Sequence, residues 1–244
     1  MATIGLDKPY YAIITEDANG QETYDTPKVM AKAIQADLTV NNATASLYAD
    51  DGVDESVDEF TSGTLSLGLN DLASTVAAEL LGARVDTNGV LVNSTNDIAP
   101  YVAVGFRARK ANGKYRYFWL YRVKFGVPAT NLATKGESIT FQTPTIEGTV
   151  MRRNKPDTQD KHPWKTEVTD GDTGVSAATI SGWFSAVYEP TFYYVTADER
   201  ARRNDHPVRQ AVRVDFDHQS DQGDQPALWR FGQARRQTLK IREF

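Results

Sequence analysis

Cysteine is absent from this chain of 244 residues, so no disulfide and no thiolate metal site can form. The redox compartment is left open by that absence. Histidine is almost absent too: His162, His206 and His218 are the only three. None has a partner at metal-ligand spacing, and no H-E-x-x-H pattern occurs. His162, between Lys161 and Pro163, reads as a solvated loop histidine rather than a catalytic base. The chain also lacks a run of about twenty apolar residues, the length a membrane-spanning helix needs. Residues 1–8 contain no apolar signal region. There is no G-x-S-x-G elbow, no P-loop and no glycine-rich turn from strand to helix. Carboxylates are too numerous for any one pair to stand out as an acid and base. These absences lead to the expectation of a protein that is not an enzyme and has no cofactor, metal or membrane insertion. A net charge of −5 argues against a general nucleic-acid binder.

What is present is alternation. Ile34, Ala36, Leu38 and Val40, and then Leu65, Leu67 and Leu69, occupy every second position. Between them lie small polar residues: Gln35, Asp37, Thr39 and Asn41, then Thr64, Ser66 and Gly68. A period of two with one dry and one wet face marks a half-buried antiparallel sheet. The wet face lacks the lysines and arginines that usually coat an outer surface, a pattern suited to a wall around a water-filled space. Thr44 to Asp50 is a further short alternating run. Between it and the strand from Phe60 to Leu69 lies an exposed acidic arm with Asp50, Asp51, Asp54, Glu55, Asp58 and Glu59. Neither Gly52 nor the acid spacing follows an EF-hand pattern. The arm is either a solvated loop or a contact arm seeking a basic neighbour. Asn70 is the expected N-cap of a helix of about three turns, with Leu72, Val76 and Leu80 as its apolar stripe and Gly82 as its C-terminal stop.

Tyr10–Thr15, Thr145–Met151, Ser138–Gln142 and Ile180–Tyr188 also read as strands, with Ser138, Thr140 and Gln142 repeating the polar face. Asn112-Gly113 predicts a two-residue type I′ hairpin loop. That register places Val102, Val104, Phe106 and Ala108 opposite Val123, Tyr121, Trp119 and Tyr117 on an apolar side. The other side then collects Arg107, Arg109, Arg116, Arg122 and Lys124. A basic face and an acidic arm on one chain are the parts needed for head-to-tail assembly. Residues 191–244 differ in character: ten basic residues, nine of them Arg, against eight acidic ones give a net +2, leaving −7 for residues 1–190. The expected organisation is a β domain over 1–190 and an Arg-rich segment of unassigned role over 191–244.

The order and spacing of these segments carry a resemblance. YYAIITED, then AIQADLTVNNATASLYADDGVDESVDEFTSGTLSLGLNDLASTVAAELLG, VAVGFRARKANGKYRYFWLYRVKFG, ESITFQTPTIEGTVM and WFSAVY occur in that order between Tyr10 and Pro190. This run resembles the major tail proteins, the tail tube subunits, of long-tailed phages of Gram-positive bacteria. The resemblance implies a mainly β, antiparallel, sandwich-like subunit with one flanking α-helix and a long inter-strand arm. It implies hexameric rings that stack into a tube, the conduit for double-stranded DNA during ejection. Expected partners are further copies of the chain and other tail proteins such as the tape measure, tail terminator and distal tail protein. The expected location is the virion tail, assembled in the host cytoplasm. Gln35, Asp37, Thr39, Thr64, Ser66 and Thr140 would face the lumen, and 42–60 would be the arm. Two rivals remain: the inner tube of a tail-like injection particle, and a soluble ligand- or carbohydrate-binding β-sandwich with Tyr117, Trp119 and Tyr121 as a sugar platform.

Overall fold

A computed structural model describes residues 2–18, 20–130, 132–134 and 141–192. The expected strand at 138–142 falls largely outside these residues. So do Thr140 and 193–244 of the Arg-rich segment. Phe141 and Gln142 are described and belong to no strand.

The elements in order are β1 (Thr3–Glu16), β2 (Glu22–Tyr24), β3 (Lys28–Val29), β4 (Ala33–Ala49), β5 (Gly52–Leu69), α1 (Ser74–Leu81), β6 (Arg84–Val85), β7 (Leu91–Val92), β8 (Tyr101–Lys110), β9 (Tyr115–Phe125), β10 (Thr145–Met151), β11 (Lys165–Thr169) and α2 (Ala177–Ser181). The fold is mainly β. Nine strands form one antiparallel sheet whose main path is β2-β1-β8-β9-β10-β5-β4, while β6 and β7 form a separate pair. β3 pairs with β1, and β11 joins the same edge of β9 that β10 uses further along.

Two clusters of buried side chains lie on opposite faces of this sheet. One face carries Leu65, Leu67, Leu69, Val104, Leu120, Val123 and Ile146, and α1 covers it with Leu80 and Leu81. The expected helix is therefore present on the dry side, but it is only eight residues long. Its N-cap is Ala73, without a side-chain bond. Asn70 instead accepts the Lys32 N–H at 3.0 Å, which ties the end of β5 to the start of β4. The helix stops at Gly82, in the left-handed conformation as expected (φ 71°).

The second cluster holds Ala103, Tyr117, Trp119, Tyr121, Trp183 and Val187. Its cover is α2 and the irregular chain after it, where the sequence reading expects a strand. Ser176 caps α2 by accepting the Thr179 N–H at 3.0 Å. Ile180, Trp183, Phe184, Val187 and Tyr188 follow an i, i+3, i+4, i+7, i+8 spacing, which suits turns laid across a sheet better than a strand within it. Their partners are aromatic: Phe184 stacks on Tyr10 at 4.4 Å, and Trp183 on Tyr188 at 5.0 Å.

The β8–β9 hairpin also departs from its expected register. Only Gly113 of its loop has a positive φ (80°), whereas a type I′ turn requires two such residues. Lys110 donates its N–H to the Lys114 carbonyl at 2.8 Å, closing a three-residue loop, Ala111 to Gly113. Val104 then faces Leu120, Gly105 faces Trp119, Phe106 faces Phe118 and Arg107 faces Tyr117. A shift between Val102 and Val104 sets Tyr121 and Arg122 against Ala103 alone and restores Val102 opposite Val123. A slip of one residue turns a side chain to the other face. Trp119 and Tyr121 therefore join the second cluster rather than the valines. Gly105 makes room for this, since a Cβ there would lie 2.7 Å from the Trp119 ring.

Candidate functional site

The wet face exists and is wider than the sequence alone shows. β5 pairs with β4 through Gly68–Gln35, Ser66–Asp37 and Thr64–Thr39. On its other side β5 pairs with β10 through Gly68–Thr145, Ser66–Glu147 and Thr64–Thr149. Paired residues of antiparallel strands share a face. Three strands thus present nine positions in rows, all small or acidic except Gln35, with Asp37 and Glu147 flanking Ser66. Gln35, Asp37, Thr39 and Thr64 are exposed and Ser66 is half-buried. Gln35 donates to Asp37 at 2.6 Å, within the face itself. Thr145, Glu147 and Thr149 were not singled out as wall residues in the sequence, although their alternation with Ile146, Gly148 and Val150 carried the signal. Lys124 of the next strand lies opposite Thr149, 5.4 Å from the Tyr101 ring.

The acidic arm is not a loop. β4 and β5 stay paired from Ala33–Leu69 to Ala49–Gly52, forming a single long ribbon. Asp50 and Asp51 make its two-residue turn with φ of 47° and 62°, the positive values a type I′ turn needs. Asp54, Glu55, Asp58 and Glu59 follow along β5, all exposed. Asp58 accepts from Asn42 and Thr44 at 3.2 Å, holding the two strands together. From Asn42 to Ala49 the ribbon projects about 26 Å at ~3.3 Å per residue. Every residue from 42 to 59 is exposed.

The ribbon also inverts its pattern. In β4 the apolar positions are even as far as Val40, and the polar pair Asn41-Asn42 then moves them to Ala43, Ala45 and Leu47. A bulge at Thr61 of β5 lies at the same place, between the pairs Asn41–Ser62 and Asn42–Phe60. Ala45 pairs with Val57, and Leu47 and Ala43 pair with Glu55 and Glu59. The result is an apolar stripe railed by two carboxylates on the side that continues the wet face. Leu47 and Val57 are 57% and 53% exposed.

The basic candidates are divided. Arg116 lies on the α1-side face, while Arg107, Arg109, Arg122 and Lys124 lie on the other. Most are neutralised within the chain. Arg107 Nε donates to Asp7 at 2.9 Å, and Arg116 pairs with Glu167. Arg122 donates to Glu16 at 2.7 Å and pairs with the fully buried Glu22. Glu22 also accepts the N–H groups of Asn154 and Lys155 at 2.8 and 3.2 Å. Burial alone would lower the Arg107 pKa, and the Asp7 carboxylate outweighs it, so the guanidinium is held more firmly charged. These arginines are placed to hold the fold. The aromatic platform is closed as well: Trp119 and Tyr121 are fully buried and Tyr117 nearly so. Trp119 donates to the Trp183 carbonyl at 3.0 Å and Tyr121 to that of Tyr188 at 2.8 Å.

No protein-family model matches the chain, and a search of curated proteins finds no match.

Proposed function

We propose that this chain is a self-assembling structural subunit, the tail tube protein of a long-tailed phage, whose rings stack into a DNA conduit. One observation carries the reading: among the described residues, β4 and β5 leave a polar face, a sheet edge and the ribbon over 43–59 without partners in the subunit. Among the described residues nothing pairs with the outer edge of β4, a strand of 17 residues. Such an edge is a liability in a monomer and a joining surface in an oligomer. A two-stranded ribbon alone in water is marginal at best. A heterologous edge-to-edge contact closes into a ring when its rotation permits, and the ribbon is free to engage a further copy.

The wall chemistry supports transit rather than binding. Small polar side chains with Asp37 and Glu147 among them offer few phosphate contacts, and each such contact would add affinity and slow a passing duplex. Thr39, Thr64, Thr145 and Thr149 supply hydroxyls without charge. The sandwich-like tube subunit, the sixfold ring and the partnership with other tail proteins belong to this proposal and rest on the resemblance. The carbohydrate reading loses its platform, since Trp119, Tyr117 and Tyr121 are covered.

Negative-stain microscopy with light scattering over a concentration series tests the proposal. Rings or tubes with a central channel are the expected result. A monomer at every concentration would overturn it.

A further inference from the structure

At the base of the projecting half of the ribbon, Phe60 makes an aromatic contact with the rest of the subunit. Phe60, the first β5 residue beyond the bulge at Thr61, lies flat on the Trp164 indole with centroids 4.3 Å apart and planes within 2°. Trp164 belongs to the body. Its carbonyl accepts the Tyr121 N–H of β9 at 3.0 Å, and its ring packs against the α1-side core. Lys165 Nζ lies 5.3 Å from the same ring. Just before it, the Pro163 carbonyl accepts the Arg153 N–H at 3.2 Å. One ring is thus fixed to the body and the other to the ribbon. Among the described residues, no hydrogen bond, ion pair or ring contact joins residues 43–59 to anything outside the ribbon.

A bulge bends a strand and breaks the regularity of its ladder, which makes Thr61 the natural pivot. A paired ribbon keeps its internal register while turning about such a point. We propose that the Phe60–Trp164 stack is the joint that fixes the direction in which the ribbon leaves the sheet, making Phe60 the residue that positions it for docking onto a second copy. The first half of this statement concerns the subunit alone; the second rests on the assembly reading. A ribbon held in one direction is already oriented for its partner. A swinging ribbon must be ordered at the moment of contact, which weakens association. Aromatic stacking is worth up to about tenfold in an equilibrium constant.

The absence of cysteine makes the joint measurable. Cysteines introduced at Ala49, beside the ribbon turn, and at Ala111, in the β8–β9 loop, are the only sites for nitroxide labels in the full chain. Below the assembly concentration, the parent should give one narrow inter-label distance distribution. Phe60→Ala should broaden it at least twofold with unchanged circular dichroism, and Phe60→Tyr should restore it. If Phe60→Ala does not fold, Phe60→Leu, which keeps bulk without a flat ring, takes its place. An unchanged distribution in the variant overturns the joint. The concentration at which assembly begins should rise about tenfold in Phe60→Ala and return in Phe60→Tyr. A distribution that broadens in Phe60→Ala while the parent never assembles keeps the joint and sinks the assembly reading. A broadened distribution with unaltered assembly sinks the positioning role.

Discussion

β8–β9 and β4–β5 are both long antiparallel hairpins of alternating sequence, and they end in different surroundings. β8–β9 is covered on both faces: Leu120 and Val123 lie in the cluster under α1, and Trp119 and Tyr121 lie beneath Trp183. β4–β5 is covered on one face near its base, where Leu65 and Leu67 are fully buried, and on neither face beyond Asn42. The same pleat therefore serves two purposes. Where large aromatics alternate with valines, the hairpin brings both its covers onto itself. Where threonine, serine and alanine alternate, it leaves surface over. Folding stability should then reside in the first hairpin and association in the second.

The sharpest way to break this contrast is at Trp119. Its indole is fully buried and donates to the Trp183 carbonyl, so Trp119→Ala removes packing, a hydrogen bond and the seat of the second cluster. Deleting a large buried aromatic costs about 3–5 kcal/mol. The expected outcome is a loss of that size in chemical denaturation, with the midpoint moved strongly downward. A change under ~1 kcal/mol would mean that the second cluster contributes little to the body.

A smaller effect concerns Glu79 on α1. Lys28 donates to both its carboxylate oxygens at 2.8 Å, and Tyr11 donates to one of them at 2.8 Å. The bond from Lys28 holds the Glu79 pKa below its ordinary value of 4.5 against the opposing effect of burial, with Tyr11 helping. A depressed folded pKa gives stability that is complete above the unfolded value and lost as pH falls through the folded one. Thermal stability should therefore decline below about pH 4.5 through this group, and Glu79→Gln should flatten that part of the decline. Identical acid limbs in parent and variant would count against it. The group belongs to the covered half, where α1 meets β1 and β3.

Much of this division is legible in the sequence, for reasons that differ along the chain. β10 matches Thr145–Met151, and the dry positions of β5 (Leu65, Leu67, Leu69) are buried where a period of two puts them. In β4, by contrast, Ala36 and Leu38 are half-buried, and Ile34 and Val40, expected on the dry face, are exposed at 53% and 41% because that strand lies at the sheet edge. The acidic stretch reads as a loop because charge density outweighs the alternation of Val53, Glu55, Val57 and Glu59 within it. The β8–β9 register is missed by one residue, since Asn112-Gly113 fits a two-residue and a three-residue loop alike and the shift at Ala103 has no local signal. At 180–188 the apolar spacing was helical, but the aromatic and β-branched content favoured a strand. The pairing of Asp7, Glu16 and Glu22 with arginines about a hundred residues away is a tertiary fact that no local pattern contains.

The finest test of the contrast is the ribbon stripe. Leu47→Ser with Val57→Ser removes two exposed apolar side chains that touch no core. Surface changes of this kind usually shift stability by no more than ~0.5 kcal/mol. The double variant should denature with the parent and elute with it as a monomer, yet fail to scatter light at concentrations where the parent assembles. Serine keeps the ribbon's charge and leaves Asp58, Asn42 and Thr44 bonded, so a loss of assembly would be due to the apolar stripe rather than to a melted hairpin. If the variant assembles as the parent does, the stripe is not the docking surface and the carboxylates beside it become the next residues to change. If it loses ~2 kcal/mol or more of stability, these side chains are part of the subunit's own packing, and the two hairpins are more alike than their coverage indicates.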